Sequence, residues 1–319
     1  MLGYIVRRLI AMVPILFGIS ILVFVAARVM PGNIAQLKAG QDATPEQVAE
    51  LEHEYGIDKP LVEQYVIWLR DVSHLDLGES LLRNQPVADE ITSRLPVTGQ
   101  LLIMTMCVSA TLGLTIGILS AMNRGRFLDS LLRGVSILGM SVPTFWVATL
   151  VILLPSIYFS YAPPFGHVGF FQNPWDNLRQ YSPPALVLGF ASGCGLARIV
   201  RGSILGVVSQ DFMRTARAKG LSESVVIRRH ALGNVMLPII TILGMEAVGL
   251  LGGTVIVEQV FNLNGLGRFL LESALSRDYP AIQAMALIVG VVVMTLFLFI
   301  DLTYAWLDPR VRLTGESHA

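Results

Sequence analysis

Histidine, cysteine and lysine carry much of the side-chain chemistry open to a protein, and in this sequence their spacing removes most of it. The five histidines, His53, His74, His167, His230 and His318, stand singly, so none builds a zinc site at metal-ligand spacing. His53-Glu54 opens like a metalloprotease helix motif, but Ile57 occupies the place of the second histidine. Lys38, Lys59 and Lys219 are followed by Ala, Pro and Gly, which excludes a phosphate-cradling Gly-Lys-Ser/Thr loop. The chain is therefore no Walker-type ATPase by itself. Gly265-Leu266-Gly267 lacks the third glycine of a dinucleotide fingerprint, and no Gly-x-Ser-x-Gly elbow occurs. Cys107 and Cys194 lie inside apolar runs and supply no disulfide framework. The chain reads as a non-enzyme without a metal site. Two features remain: a single acid in an apolar run, Glu246, and a basic stretch at 209–238.

The elements that must position them are membrane helices. Of 319 residues, 53% are hydrophobic and 14% charged, against about 25% charged in a soluble domain. Mean hydropathy is +0.63. Low charge and a formal net charge of zero exclude a disordered or nucleic-acid-binding chain. A helix crossing the hydrocarbon needs about 20 mostly apolar residues. Six such stretches appear: 9–27, 101–122, one within 134–162, one from near Pro183 past Arg198 and Arg201, 236–257 and 280–300. The first is read as a retained helix, since Arg28-Val29-Met30-Pro31 makes a poor cleavage site. Pro143 and Pro155 are expected to kink the third or mark its end. Asp301 directly follows the sixth and is expected to pair with a loop arginine. With the N-terminus cytoplasmic, that side receives 14 of the 23 basic residues, which places both termini in the cytoplasm.

Small residues four apart, Gly113 with Gly117, Gly189 with Gly193 and Gly249 with Gly253, let helix backbones approach closely. They suit packing within one bundle, with a dimer seam as the alternative. Residues 31–97 form a long external segment. In it Thr44-Pro45-Glu46 reads as a helix start, Gly56 as its stop and Pro60 as the start of a second helix. Leu61, Tyr65, Trp68, Leu69 and Val72 share one face of that helix, to be packed on the bundle's own outer end or on a partner.

The stretch 209–238 reads as a short helix, a sharp break and a second helix. Asp211 favours the first helix's positive end, and Arg217 and Lys219 its negative end. Gly220 supplies a left-handed residue, Ser222 can cap the next helix with Glu223 in its first turn, and Pro238 lies just inside the fifth span. A rigid basic turn between two spans suits docking into a groove on a cytoplasmic partner. An ordinary loop obeying the positive-inside rule is the alternative.

Arg214-Thr215-Ala216 with Gly220, followed by Leu237-Pro238, resembles the EAA loop of ABC importer permeases. The run Arg214-Thr215-Ala216-Arg217-Ala218-Lys219-Gly220-Leu221 is similar to the dipeptide/oligopeptide/nickel permeases in particular. Nearly the whole chain shares the likeness: Met30-Pro31-Gly32, Tyr55-Gly56-Ile57-Asp58-Lys59-Pro60-Leu61 with Glu63-Gln64-Tyr65, and Asp76-Leu77-Gly78-Glu79-Ser80 with Pro86-Val87. Glu258-Gln259-Val260-Phe261, Gly265-Leu266-Gly267, Arg277-Asp278-Tyr279-Pro280 and Leu307-Asp308-Pro309-Arg310 continue it. The resemblance is to the first permease subunit type. The chain departs from it at Arg214-Thr215-Ala216 in place of Glu-Ala-Ala, at Asn264 and at Glu246.

The resemblance implies an all-α integral membrane protein with six transmembrane helices and the type I (MetI-like) ABC importer permease fold. It implies one permease domain over 1–319, holding the external segment 31–97 and a cytoplasmic coupling loop at 206–235. Residues 214–221 and Pro238 would meet the ATPase. The implied partners are a second homologous permease in a heterodimer, two ABC ATPase subunits, an extracytoplasmic solute-binding protein and the bilayer of the bacterial inner membrane, with no nucleic acid. ATP and Mg would be used by the ATPases, and this chain would bind no cofactor. Peptides are the expected cargo, with nickel chelates, glutathione or another small solute as alternatives. An acid at bilayer depth costs a few kcal/mol unless it faces water or a partner. Glu246 could thus receive a substrate ammonium group in the translocation path, or be a protonated or hydrogen-bonded packing residue. A proton-coupled secondary transporter would also use such an acid, without an ATPase.

Overall fold

A computed structural model describes residues 2–29, 34–40, 43–54, 56–81, 83–160, 167–220, 225 and 232–307. Twelve helices occur among the described residues: α1 (Leu2–Val29), α2 (Ile34–Ala39), α3 (Pro45–Glu54), α4 (Leu61–Ser73), α5 (Val87–Met122) and α6 (Phe127–Ser141). The rest are α7 (Thr144–Phe159), α8 (Pro174–Val208), α9 (Asp211–Ala218), α10 (Leu232–Val260), α11 (Leu266–Ser276) and α12 (Tyr279–Leu307). The architecture is all-α, as the sequence leads one to expect. Met30-Pro31-Gly32, Tyr55, Leu221, Ser222, Glu223 and Asp308-Pro309-Arg310 lie outside the described residues.

Among the described residues, five helices, α1, α5, α8, α10 and α12, are long and apolar enough to cross a membrane. The third expected span is different. It is two helices, α6 and α7, bent by 90° at Val142-Pro143, and makes a sixth span only if the pair counts as one. The proline ring disfavours helical backbone at the preceding residue, and Val142 is extended at ψ 127°. Pro155, by contrast, stays inside α7. Other boundaries move as well. α5 begins at Val87, within the stretch assigned to the external segment, and holds Pro96 internally. α8 begins at Pro174, well before Pro183, with the Asn173 side chain accepting the Asp176 N–H at 3.3 Å. α12 continues through Asp301 to Leu307 rather than stopping at Ile300.

The chain divides into two compact units. The first holds residues 1–96 and 268–295. There α4 lies on α1: the Tyr65 and Trp68 rings stand 5.3 and 5.7 Å from Phe24, and the Tyr65 hydroxyl is 2.7 Å from Ser20 Oγ. The aromatic face of the external segment is thus spent on the chain's own first helix, although Leu61 stays exposed. Gly56 ends α3 with φ +62°, and buried Gln64 pins the turn by donating to the Ile57 and Lys59 carbonyls at 2.9 and 2.7 Å. That accounts physically for the Gly56…Pro60…Gln64-Tyr65 pattern. In the same unit the turn between Glu79 and Pro86 is fixed by Asp278, whose carboxylate accepts from Ser80 Oγ at 2.5 Å and the Leu81 N–H at 3.2 Å.

The second unit holds residues 97–267 and 296–319. Leu101, Tyr181, Ala185, Leu188, Val257 and Phe261 make one buried cluster, and Leu196, Val200, Ile204, Val235 and Ile239 another. α5 and α8 touch almost backbone to backbone. A Cβ on Gly113 would come within 2.6 Å of Leu196, and one on Gly189 within 2.6 Å of Val108. These glycine pairs therefore serve packing inside the bundle. Arg201 on α8 holds buried Asp129 on α6 through two contacts of 2.8 and 2.9 Å, and Ser120 donates to the same carboxylate at 2.6 Å.

Candidate functional site

Two places in the second unit could do work: the turn around α9 and a cavity beside α10. The eight residues of α9 begin with Asp211, whose carboxylate is 3.4 Å from Arg214, and both side chains are exposed. Such a pair adds little stability. It leaves the helix surface charged and open. Met213 is fully buried and anchors the opposite side. Thr215 Oγ1 donates to the Asp211 carbonyl at 3.2 Å, and the Lys219 N–H donates to the Thr215 carbonyl at 3.1 Å, which closes the last turn. Gly220 follows with φ +79°, the left-handed stop expected of it. Among the described residues, a Cβ there would meet nothing within 4 Å.

Of the residues assigned to coupling, Arg214, Thr215, Ala216, Arg217 and Ala218 thus share one short helix, and Lys219 and Gly220 form its terminal turn. Leu221 lies outside the described residues. Pro238 stands apart, within the first turns of α10.

Further along α10, Glu246 lines a cavity of about 480 Å³. Pro143, Thr144 and Phe145, just past the 90° break, form one wall. Leu188, Ala191 and Ser192 of α8 form a second, and Glu246, Gly249, Leu250, Gly253, Ile256 and Val257 of α10 a third. Among the described residues, Gly249 and Gly253 have nothing within 4 Å of an added Cβ, unlike Gly113 and Gly117 of α5 and Gly189 and Gly193 of α8. They keep this wall low instead of seating a neighbouring helix. Glu246 is the one ionisable residue among the described residues lining the cavity. Its Oε1 accepts from Ser109 Oγ on α5 at 2.5 Å, while Oε2 is buried with no hydrogen-bond partner among the described residues. Ser109 is not marked out by the sequence. Nothing local marks it, because its meaning depends on a residue 137 positions away. Among the described residues no group of three metal-ligating side chains comes together.

A third arrangement gives the Glu258…Gly265-Leu266-Gly267 pattern a structural meaning. Glu258 is fully buried and accepts from Thr98 Oγ1 at 2.7 Å, and Thr98 Oγ1 itself accepts the Leu266 N–H at 2.8 Å. A Cβ on Gly265 would fall within 2.5 Å of the Glu258 carboxylate. The glycine leaves room for the acid that closes the turn into α11.

Comparison with known proteins bears on these features. Residues 113–313 match the family model described as binding-protein-dependent transport system inner membrane component, and residues 1–102 match the N-terminal model of such membrane components. The chain is 38% identical over 312 residues to the glutathione transport system permease protein GsiC of Escherichia coli (strain K12), covering 98% of this chain and 99% of that protein. It is 33% identical over 332 residues to the dipeptide transport system permease protein DppB of Alkalihalophilus pseudofirmus, covering 98% and 100%. In fold it is similar to an inward-facing crystal structure of the MetNI methionine ABC transporter, with TM-score 0.56 at 14% identity, over 68% of this chain and 95% of that one.

Proposed function

The chain belongs to the binding-protein-dependent transport system inner membrane components, and on that premise we propose that it is the permease subunit of an ATP-driven ABC importer for peptides. The observation that carries this reading is the end-to-end likeness to permeases named for dipeptide and glutathione transport. Glutathione, itself a tripeptide, is the second reading of the cargo, because the more identical of these two relatives is named for it. Family membership does not suit a proton-coupled secondary transporter, which needs no binding protein.

In this proposal the chain forms half of the pathway and pairs with a second, homologous permease in a heterodimer. Two ATPase subunits bind ATP and Mg; this chain binds neither. An extracytoplasmic binding protein delivers the peptide. The chain sits in the bacterial inner membrane with both termini in the cytoplasm, an orientation supported by the excess of basic residues on that side. Residues 214–221 and Pro238 meet the ATPase. Closure of the ATPases on ATP pulls on α9 and turns the cavity outward, and hydrolysis with product release returns it inward. A short charged helix anchored by one buried methionine and ended by one glycine is suited to moving as a unit. Glu246 lies on the translocation path.

A mild-detergent pull-down of the tagged chain from its native membrane tests the reading. Co-purification of a second six-helix permease and Walker-motif ATPases supports it. Recovery of a self-assembly without ATPase, from an extract rich in ATPase, overturns it.

A further inference from the structure

Glu246 is the central residue of α10, fourteen residues from Leu232 and fourteen from Val260. At 1.5 Å per residue that is about 21 Å from either end of the helix, as far from water along the helix as this element allows. A carboxylate placed there is held against a desolvation cost that must be repaid by a partner. Half of the repayment is visible: Ser109 Oγ donates to Oε1 at 2.5 Å. The other oxygen, Oε2, is buried without a hydrogen bond among the described residues, on a residue that lines the 480 Å³ cavity. The cavity falls within the roughly 300–1,000 Å³ of small-ligand sites. Its remaining walls are mostly apolar, and Gly249 and Gly253 leave them unobstructed.

This combination selects a chemistry. An apolar solute would leave Oε2 unpaired, and an anion would be repelled. A metal ion would want several ligands, and the described residues assemble no group of three. A primary ammonium brings a positive charge and three N–H donors to a lone acceptor in a low-dielectric pocket. Every unblocked peptide that does not begin with proline carries one at its N-terminus. We infer that Glu246 binds the ammonium group of the solute in transit, the peptide chain lying against the apolar walls. The inference rests on the peptide-permease reading above.

The test uses the complete importer in proteoliposomes with its binding protein, supplied with trialanine or N-acetyltrialanine. Glu246→Gln keeps an acceptor for Ser109 but removes the charge; Glu246→Asp keeps the charge. In Glu246→Gln, trialanine import falls about tenfold while binding-protein-stimulated ATP hydrolysis stays within about twofold of wild type. Glu246→Asp recovers most of the import. N-acetyltrialanine moves no faster in wild type than in Glu246→Gln. Trialanine import unchanged in Glu246→Gln, or ATP hydrolysis lost in step with import, overturns the ammonium site and leaves the peptide reading standing. A wild-type importer that hydrolyses ATP yet moves neither peptide overturns the peptide reading, and the ammonium site with it.

Discussion

Thr98 Oγ1 donates to Glu258 Oε1 at 2.7 Å and accepts the Leu266 N–H at 2.8 Å, so one hydroxyl joins α5, the end of α10 and the start of α11. All three groups are buried. Thr98→Val keeps the shape and removes both bonds, leaving the Leu266 N–H without its acceptor. Losing a buried hydrogen bond and stranding its partner costs about 1–3 kcal/mol. Thermal unfolding of the purified protein in detergent is expected to show that loss for Thr98→Val and near-complete recovery for Thr98→Ser. Equal midpoints for wild type and Thr98→Val would remove the hydroxyl from this role.

Asp278 performs a similar task in the other unit, holding Ser80 Oγ and the Leu81 N–H across 198 and 197 positions of sequence. Asp278→Ala releases the turn between Glu79 and Pro86. Bonds to a charged acceptor contribute about 1.5–3 kcal/mol, so limited proteolysis should cut the variant between residues 79 and 86 at least tenfold faster. Asp278→Asn, which keeps an acceptor, should fall between the two. A cleavage rate equal to wild type in Asp278→Ala would mean that the turn is held by its own backbone bonds.

These two locks mark the boundary of what could be read from sequence. Local punctuation was legible: Gly56 ends α3 as expected, Gly220 has the left-handed φ expected of it, and Pro60 precedes the first turn of α4. Apolar length located the spans, because a 20-residue hydrophobic run has few other uses. The 90° break at Val142-Pro143 was only half legible. Proline predicts a disturbance, but whether a helix bends slightly or turns a corner depends on what the second half packs against, here α8 and α10. Pairs such as Ser80 with Asp278, Arg201 with Asp129 and Ser109 with Glu246 leave no periodic trace. Glu246 could be noticed because it breaks an apolar run; Ser109 could not, since a serine in a membrane helix is ordinary.

Glu272 on α11 makes stability depend on pH. Burial is the largest single influence and pushes its carboxyl up. The hydrogen bonds and charges of Arg268 and Arg83 together outweigh it and hold the carboxyl below its ordinary value of 4.5. The contacts are 2.7 and 2.5 Å. A depressed folded value means that the stabilisation is fully present above the unfolded value, near pH 4.5, and is lost as pH falls through the folded one. With the side chain 30% exposed, solvent screening limits the contribution to about 1 kcal/mol or less. The unfolding midpoints of wild type and Glu272→Gln are therefore expected to differ at neutral pH and to converge as pH is lowered well below about 4.5. A difference that stays constant across that range would show that the carboxylate's charge is not what Arg83 and Arg268 respond to.

Gly220 isolates backbone geometry from contact. Its φ of +79° is unfavourable for any residue with a side chain, yet among the described residues nothing lies within 4 Å of the place a Cβ would take. The cost of Gly220→Val is therefore conformational, roughly 1 kcal/mol or more, and larger for a β-branched residue than for others. The chain should insert and accumulate normally, because no packing among the described residues is disturbed. What should change is the angle at which the chain leaves α9, and with it the fit of residues 214–221 to the ATPase. Co-purification of the ATPases is expected to drop several-fold in Gly220→Val. Gly220→Asn should retain most of it, since asparagine tolerates left-handed backbone better than other side chains. Full ATPase association and transport in Gly220→Val would show that the bend at Gly220 does not set the coupling geometry.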